Sequence, residues 1–152
     1  MGNILKTHKF GFDIWGLVLF LLVMLPNFIW FAVPAPNDVL GTESVTPVAD
    51  MIASTCQVLT VACLCFIINS NRGKLRFSTL IVTTVLCIVV YYTGWLLYYS
   101  GIVGAWIILM LTVPPCMAFI LFAADRKNFP AALSATGFAA CHLIFAIVNF
   151  IL

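Results

Sequence analysis

Long apolar runs dominate the chain, and strongly polar positions interrupt them at only a few places. A helix needs about 20 mostly apolar residues to cross a hydrocarbon core of about 30 Å. Runs of that length occupy residues 14–33 and 48–68, with Asn27 and Asp50 as their strongly polar members. Residues 77–124 carry no charge at all, which is too long for one span and right for two. Ser100, Gly101 and Gly104 supply a turn that divides this stretch into 77–99 and 102–124. A fifth run covers 129–152. The pattern predicts an all-α, polytopic membrane protein: one transmembrane domain, residues 1–152, folded as a five-helix bundle.

Composition and charge sharpen this picture. Hydrophobic residues make up 64% of the chain and charged residues 8%, against about 25% charged in soluble domains. The mean hydropathy is +1.17. So few charges cannot clothe a water-soluble surface, which excludes a soluble enzyme, a nucleic-acid-binding domain and a disordered chain. The basic residues lie in three places: Lys6 and Lys9; Arg72, Lys74 and Arg76; Arg126 and Lys127. Five spans put all three on one face, and the positive-inside rule makes that face cytoplasmic. The N-terminus is then expected inside the cell and the C-terminus outside, in a multi-pass protein of the cell membrane.

The first run is too long for a signal-peptide core, and Pro36 directly after Ala35 would obstruct cleavage, so the span is expected to be retained. Lys6 stands where a myristoylation signal after Met1-Gly2 needs Ser or Thr. The loop 34–47 is acidic, through Asp38 and Glu43, and stiffened by proline. All of Cys56, Cys63, Cys65, Cys87, Cys116 and Cys141 fall within spans without a C-x-x-C motif, and read as small apolar packing residues. Trp15, Trp30, Trp95, Tyr98 and Tyr99 lie near span ends, where rings serve as interfacial anchors.

Polar groups inside a bilayer are costly, and each asks for a reason. At about 100° per residue, each span places its polar side chains on one face. Asn27 shares a face with Asp13 and Gly16; Asp50, Ser54 and Gln57 share another; so do Thr84, Cys87, Tyr91 and Tyr98. Thr112 and Cys116 are one turn apart, and Ala135, Ala139, His142, Ala146 and Asn149 form a stripe. At a rise of about 1.5 Å per residue, Gln57, Thr112 and His142 lie near the midplane. Asn27, Asp50, Tyr91, Tyr98 and Asn149 lie in the outer half. If these faces meet, they enclose a polar pocket that opens outward, lined by Asn27, Asp50, Ser54, Gln57, Tyr91, Tyr98, Thr112, His142 and Asn149.

Three of these features admit two readings. Pro26, Pro114 and Pro115 strip carbonyls at Leu22, Met110 and Leu111 of their amide donors, which suits either hinges or static kinks. Asp50 is a functional carboxylate or an interfacial residue favoured by a helix N-terminus. His142 is a ligand contact or proton relay, or a neutral ring bonded to a neighbouring carbonyl. Asp13 is expected to cap or flank the first span.

No H-E-x-x-H helix, phosphate-binding glycine loop or base-oriented nucleophile occurs. The sequence therefore points to no catalytic residue, no metal and no cofactor. The leading expectation is a protein that binds or transports a small apolar or amphipathic, lipid-like molecule in the pocket. A non-catalytic accessory or immunity-type protein is the alternative. It would be a membrane partner or homo-oligomer that docks through Ala131, Ala135 and Ala139. A third class is an intramembrane enzyme using Asp50 and His142 as an acid–base pair. Besides the bilayer, no nucleic acid is expected as a partner.

Overall fold

A computed structural model describes residues 7–152; Lys6 and the Met1-Gly2 start lie outside the described residues. The described chain forms five long helices: α1 (Ile14–Ala32), α2 (Pro47–Phe66), α3 (Thr79–Tyr99), α4 (Ala105–Asp125) and α5 (Phe129–Phe150). Each is long and apolar enough to cross a membrane. The turn between α3 and α4 falls where the glycines put it. Gly101 adopts φ 84°, a left-handed conformation that costs glycine nothing. Its N–H and that of Ile102 bond back to the Tyr98 and Leu97 carbonyls at 3.0 and 3.1 Å.

Local chemistry starts the helices. The Asp13 carboxylate accepts from Trp15 N–H (3.1 Å), Ser78 Oγ from Ile81 N–H (3.2 Å) and Asn128 Oδ1 from Ala131 N–H (3.2 Å). Each side chain satisfies an amide that the first helical turn leaves unpaired. Pro47 opens α2 at a position where its missing donor costs nothing.

One departure from the expected all-helical chain is a short antiparallel ribbon. Strand β1 (His8–Phe10) pairs with β2 (Ile67–Asn69), His8 opposite Asn69 and Phe10 opposite Ile67. The second apolar run therefore leaves the helix at Phe66, and Ile67 and Ile68 continue as strand. Gly11 N–H and Asp13 N–H extend the attachment to the Phe66 and Cys65 carbonyls, at 3.0 and 2.8 Å.

Packing is uneven. α3 lies along α4, α4 along α5, and α5 along α2. α1 makes shorter contacts with α2, α3 and α4. Small residues set the close approaches: a Cβ on Gly16 would meet the Leu64 carbonyl oxygen of α2 at 2.5 Å, and one on Gly94 would meet Met110 Cβ of α4 at 3.0 Å. Ala131 and Ala135 are wholly buried within the chain. The alanine stripe expected to meet another protein's helix is thus largely consumed internally.

The basic segments gather at one end of the bundle. Asp13 is ion-paired there with Arg72 and with Arg126, the latter at 3.3 Å. Arg126 also donates to the Gly73 carbonyl (2.9 Å), and Ser78 Oγ donates to the Asp125 carboxylate. Asn128 Nδ2 reaches the Cys63 and Ile67 carbonyls at 2.9 and 2.7 Å. Lys127 turns through φ 53°, and its carbonyl accepts from Asn69 Nδ2 (2.9 Å) and His8 Nε2 (3.3 Å). So the basic loops do more than set topology: Asp13, as well as capping α1, ties three chain segments together.

Candidate functional site

Because α1 touches each neighbour only briefly, a gap remains between it and the other four helices. Two adjoining cavities, of about 180 and 380 Å³, fill that gap and share Asn27, Phe31, Leu111 and His142 as walls. All five helices contribute to the smaller one, through Asn27, Gln57, Tyr91, Pro115 and His142 among others. The larger one adds Asp50 and Thr112, and extends toward the acidic end, where Leu40 of the loop forms part of its wall.

Asn27, Asp50, Gln57, Tyr91, Thr112 and His142 thus come together as the helical faces require. Three expected residues fall outside. Ser54 is exposed and lines neither cavity, because α2 turns Ala53, Thr60 and Leu64 into the bundle. Tyr98 has no exposed surface; its hydroxyl donates to Asp38 Oδ1 (2.7 Å) and accepts from Val39 and Leu40 N–H at 2.9 and 3.2 Å. Asn149 also serves the loop, donating to Thr46 Oγ1 and accepting from Val45 N–H, each at 2.7 Å. Both residues hold down the acidic loop rather than line the cavity. Trp30 joins them by donating to Asp38 Oδ1 at 3.0 Å.

Within the cavity the polar groups differ in how far they are satisfied. Asn27 Nδ2 donates to the Val23 carbonyl (3.0 Å) and to the Tyr91 hydroxyl (2.7 Å), and that hydroxyl donates to the same carbonyl at 3.0 Å. This triad fixes the side chain of Asn27. Its amide oxygen makes no bond to any described residue. Gln57 Nε2 has only the Met24 sulfur, at 3.8 Å. The Thr112 hydroxyl is spent on the Ile108 carbonyl (2.8 Å). His142 stacks between Phe138 and Phe145, with ring centroids 5.0 and 6.2 Å away.

Among the described residues neither His142 nor Asp50 has a side-chain hydrogen bond. The two share the larger cavity without a direct hydrogen bond between them. Trp95 is 5% exposed, and its buried indole N–H lies near the Tyr91 hydroxyl without completing a bond of good geometry. A buried donor left this way is uncommon.

Trp30 and Trp95, placed near span ends by the sequence, also serve as walls of the larger cavity, with Phe31, Phe145 and Phe150. Trp95 was detectable, since it lies four residues from Tyr91 and so on the same helical face. Trp15 is 48% exposed.

The prolines behave differently from one another. The Leu22 carbonyl freed by Pro26 accepts from the Tyr92 hydroxyl at 2.8 Å, so that break is closed by a neighbouring helix. α4 continues through Pro114 and Pro115. The residue whose carbonyl loses its donor to Pro115 is Leu111, which lines both cavities.

No protein-family model, curated protein or solved structure matches this chain. Its class is set by its own geometry: a bundle of five span-length apolar helices around a cavity with mixed aromatic and polar walls.

Proposed function

We propose that the chain is a multi-pass protein of the cell membrane that holds a small apolar or amphipathic molecule in the cavity between α1 and the other helices. The observation that carries this reading is the convergence of Asn27, Gln57, Tyr91 and His142, from four different helices, on one cavity. Polar side chains at that depth are expensive unless something uses them. Ligand sites are typically apolar clefts of about 300–1,000 Å³ with a few placed polar groups; the smaller cavity, at about 180 Å³, is below that range, and the adjoining larger one, at about 380 Å³, supplies the room.

Orientation follows from the gathering of the described basic segments at one end, opposite Asp38, Glu43 and Asp50. The N-terminus is cytoplasmic and the C-terminus external. A membrane-impermeant maleimide added to intact cells will label Glu43→Cys and spare Lys74→Cys; the reverse pattern would invert the orientation.

Binding is tested with 2-phenylethanol on the protein in phosphatidylcholine nanodiscs, with empty discs correcting for partition. Saturable binding is expected, weakened several-fold by His142→Ala and by Gln57→Leu. Equal binding by the wild type and both variants would place the probe elsewhere and refute the reading.

A further inference from the structure

The walls of the larger cavity specify a charge. Asp50 is the one ionisable carboxylate on either cavity, and among the described residues it has no ion-pair or hydrogen-bond partner for its side chain. The other acid at a helix start, Asp13, holds two arginines. Asp50 faces no Lys or Arg among the described residues, all of which lie at the opposite end of the bundle; the His142 imidazole is the titratable group that shares its cavity, and Asp38 and Glu43 add negative charge at its own end.

The remaining wall chemistry has the same polarity. Asn27 has committed its amide hydrogens to Val23 and Tyr91, which leaves its oxygen as an acceptor. Gln57, on the adjoining smaller cavity, likewise offers an oxygen, since only its nitrogen is engaged. Against these acceptors stands the His142 ring N–H, which has no hydrogen-bond partner among the described residues; the Trp95 indole N–H is buried beside the Tyr91 hydroxyl. Rings of Trp30, Phe31, Trp95, Phe145 and Phe150 line the same cavity as Asp50, which is exposed at its mouth. Aromatic faces carry negative potential and attract cations. An anion in this cavity would meet a carboxylate and unpaired oxygens; a neutral molecule would leave the carboxylate uncompensated.

We propose that the cavity is selective for a compact organic ammonium ion: an amphipathic amine whose charged nitrogen sits beside Asp50 and whose apolar body lies among the aromatic rings. This rests on the cavity being a ligand site, and names the class of ligand that site takes. The ammonium N–H groups supply the donors that the Asp50 carboxylate and the free amide oxygens lack.

Three probes of nearly the same shape test it: 2-phenylethylammonium, 2-phenylethanol and 3-phenylpropanoate. Each is titrated into the protein in neutral phosphatidylcholine nanodiscs, with empty discs subtracted. The ammonium is expected to bind about tenfold or more tightly than the alcohol, with the carboxylate weakest. Asp50→Asn should remove that preference while the alcohol still binds; Asp50→Glu, which restores the charge, should recover it. Equal affinity for ammonium and alcohol, or a preference that survives Asp50→Asn, overturns the proposal and leaves the cavity a general amphiphile site. Failure of all three probes to bind would overturn both the ammonium class and the ligand-site reading beneath it.

Discussion

Replacing Asp13 by Asn removes one negative charge from a site where two cations depend on it. Asp13 is 4% exposed and Arg126 6%, so neither can turn to water without local opening. Arg126 would keep its bond to the Gly73 carbonyl but lose its counter-charge. Arg72 is more forgiving, with 23% of its side chain exposed, and its share is reduced by solvent screening. Breaking a buried pair from one side costs about 3–5 kcal/mol; discounting for Arg72 leaves an expected loss of about 2–4 kcal/mol. Asparagine keeps the cap on the Trp15 amide, so Asp13→Ala should cost about 1 kcal/mol more. Arg72→Gln alone should cost no more than about 1 kcal/mol. Reversible unfolding in mixed micelles, titrated with sodium dodecyl sulfate, measures all three variants. If Asp13→Asn lies within about 0.5 kcal/mol of wild type, where ordinary surface changes fall, the carboxylate is not what binds these segments and the argument fails.

Other outcomes follow from single contacts. Gly16→Ala sets a methyl against the Leu64 carbonyl at 2.5 Å, while Gly73→Ala meets nothing within 4 Å. The first should lose about 1–3 kcal/mol in the same titration and the second almost nothing; equal stability would refute the close approach of α1 to α2. Tyr92→Phe should cost about 0.6–1.7 kcal/mol by stranding the Leu22 carbonyl, and less in a Pro26→Ala background, where residue 26 again donates. Additive costs in that double-mutant cycle would show that Tyr92 does not compensate the proline. Tyr98→Phe should speed amide exchange at Val39 and Leu40 and leave Ile67–Asn69 unchanged, because the hydroxyl serves only the acidic loop; unchanged exchange at Val39 would sink that assignment.

What could be read from the chain divides by the range of the interaction. The five spans depend on local runs of apolar residues, and the α3–α4 turn on glycines within a few positions, so both were legible. The faces that carry Asn27, Gln57, Tyr91 and His142 were legible too, from helical period and depth, but that they meet on one cavity depends on helix order, which no local pattern encodes. The β1–β2 ribbon was not legible. Ile67 and Ile68 continue an apolar run that has no period to separate strand from helix end, and their register is set by His8–Phe10, far away in sequence. Asp13 looked like a cap, which it is, but its two arginines arrive from distant loops. Tyr98 and Asn149 failed for a related reason: their helical faces point inward as expected, yet the loop folds over the bundle end and supplies their partners first.

The two ends of the bundle are held by different chemistry, and this bears on how the proposed ligand would enter. At the basic end, a buried carboxylate, two guanidinium groups, capping side chains and a strand pair join the start of α1 to the α2–α3 and α4–α5 connections. At the acidic end, α1 is held to α3 by the bonds of Tyr91, Tyr92 and Tyr99 to backbone carbonyls or Asn27, and the loop by neutral groups converging on Asp38. The bonds to the Asp38 carboxylate are charge-assisted as well, but ion pairs and a strand pair occur at the basic end, and local opening follows the sparser contacts. The cavity lies on the more sparsely held side, where α1 is already separated from α2 by the space between Phe31 and Asp50. Entry is therefore expected by displacement of the acidic-end loop and the second half of α1, with the Asp13 cluster and the Gly16–Leu64 contact as the fixed point.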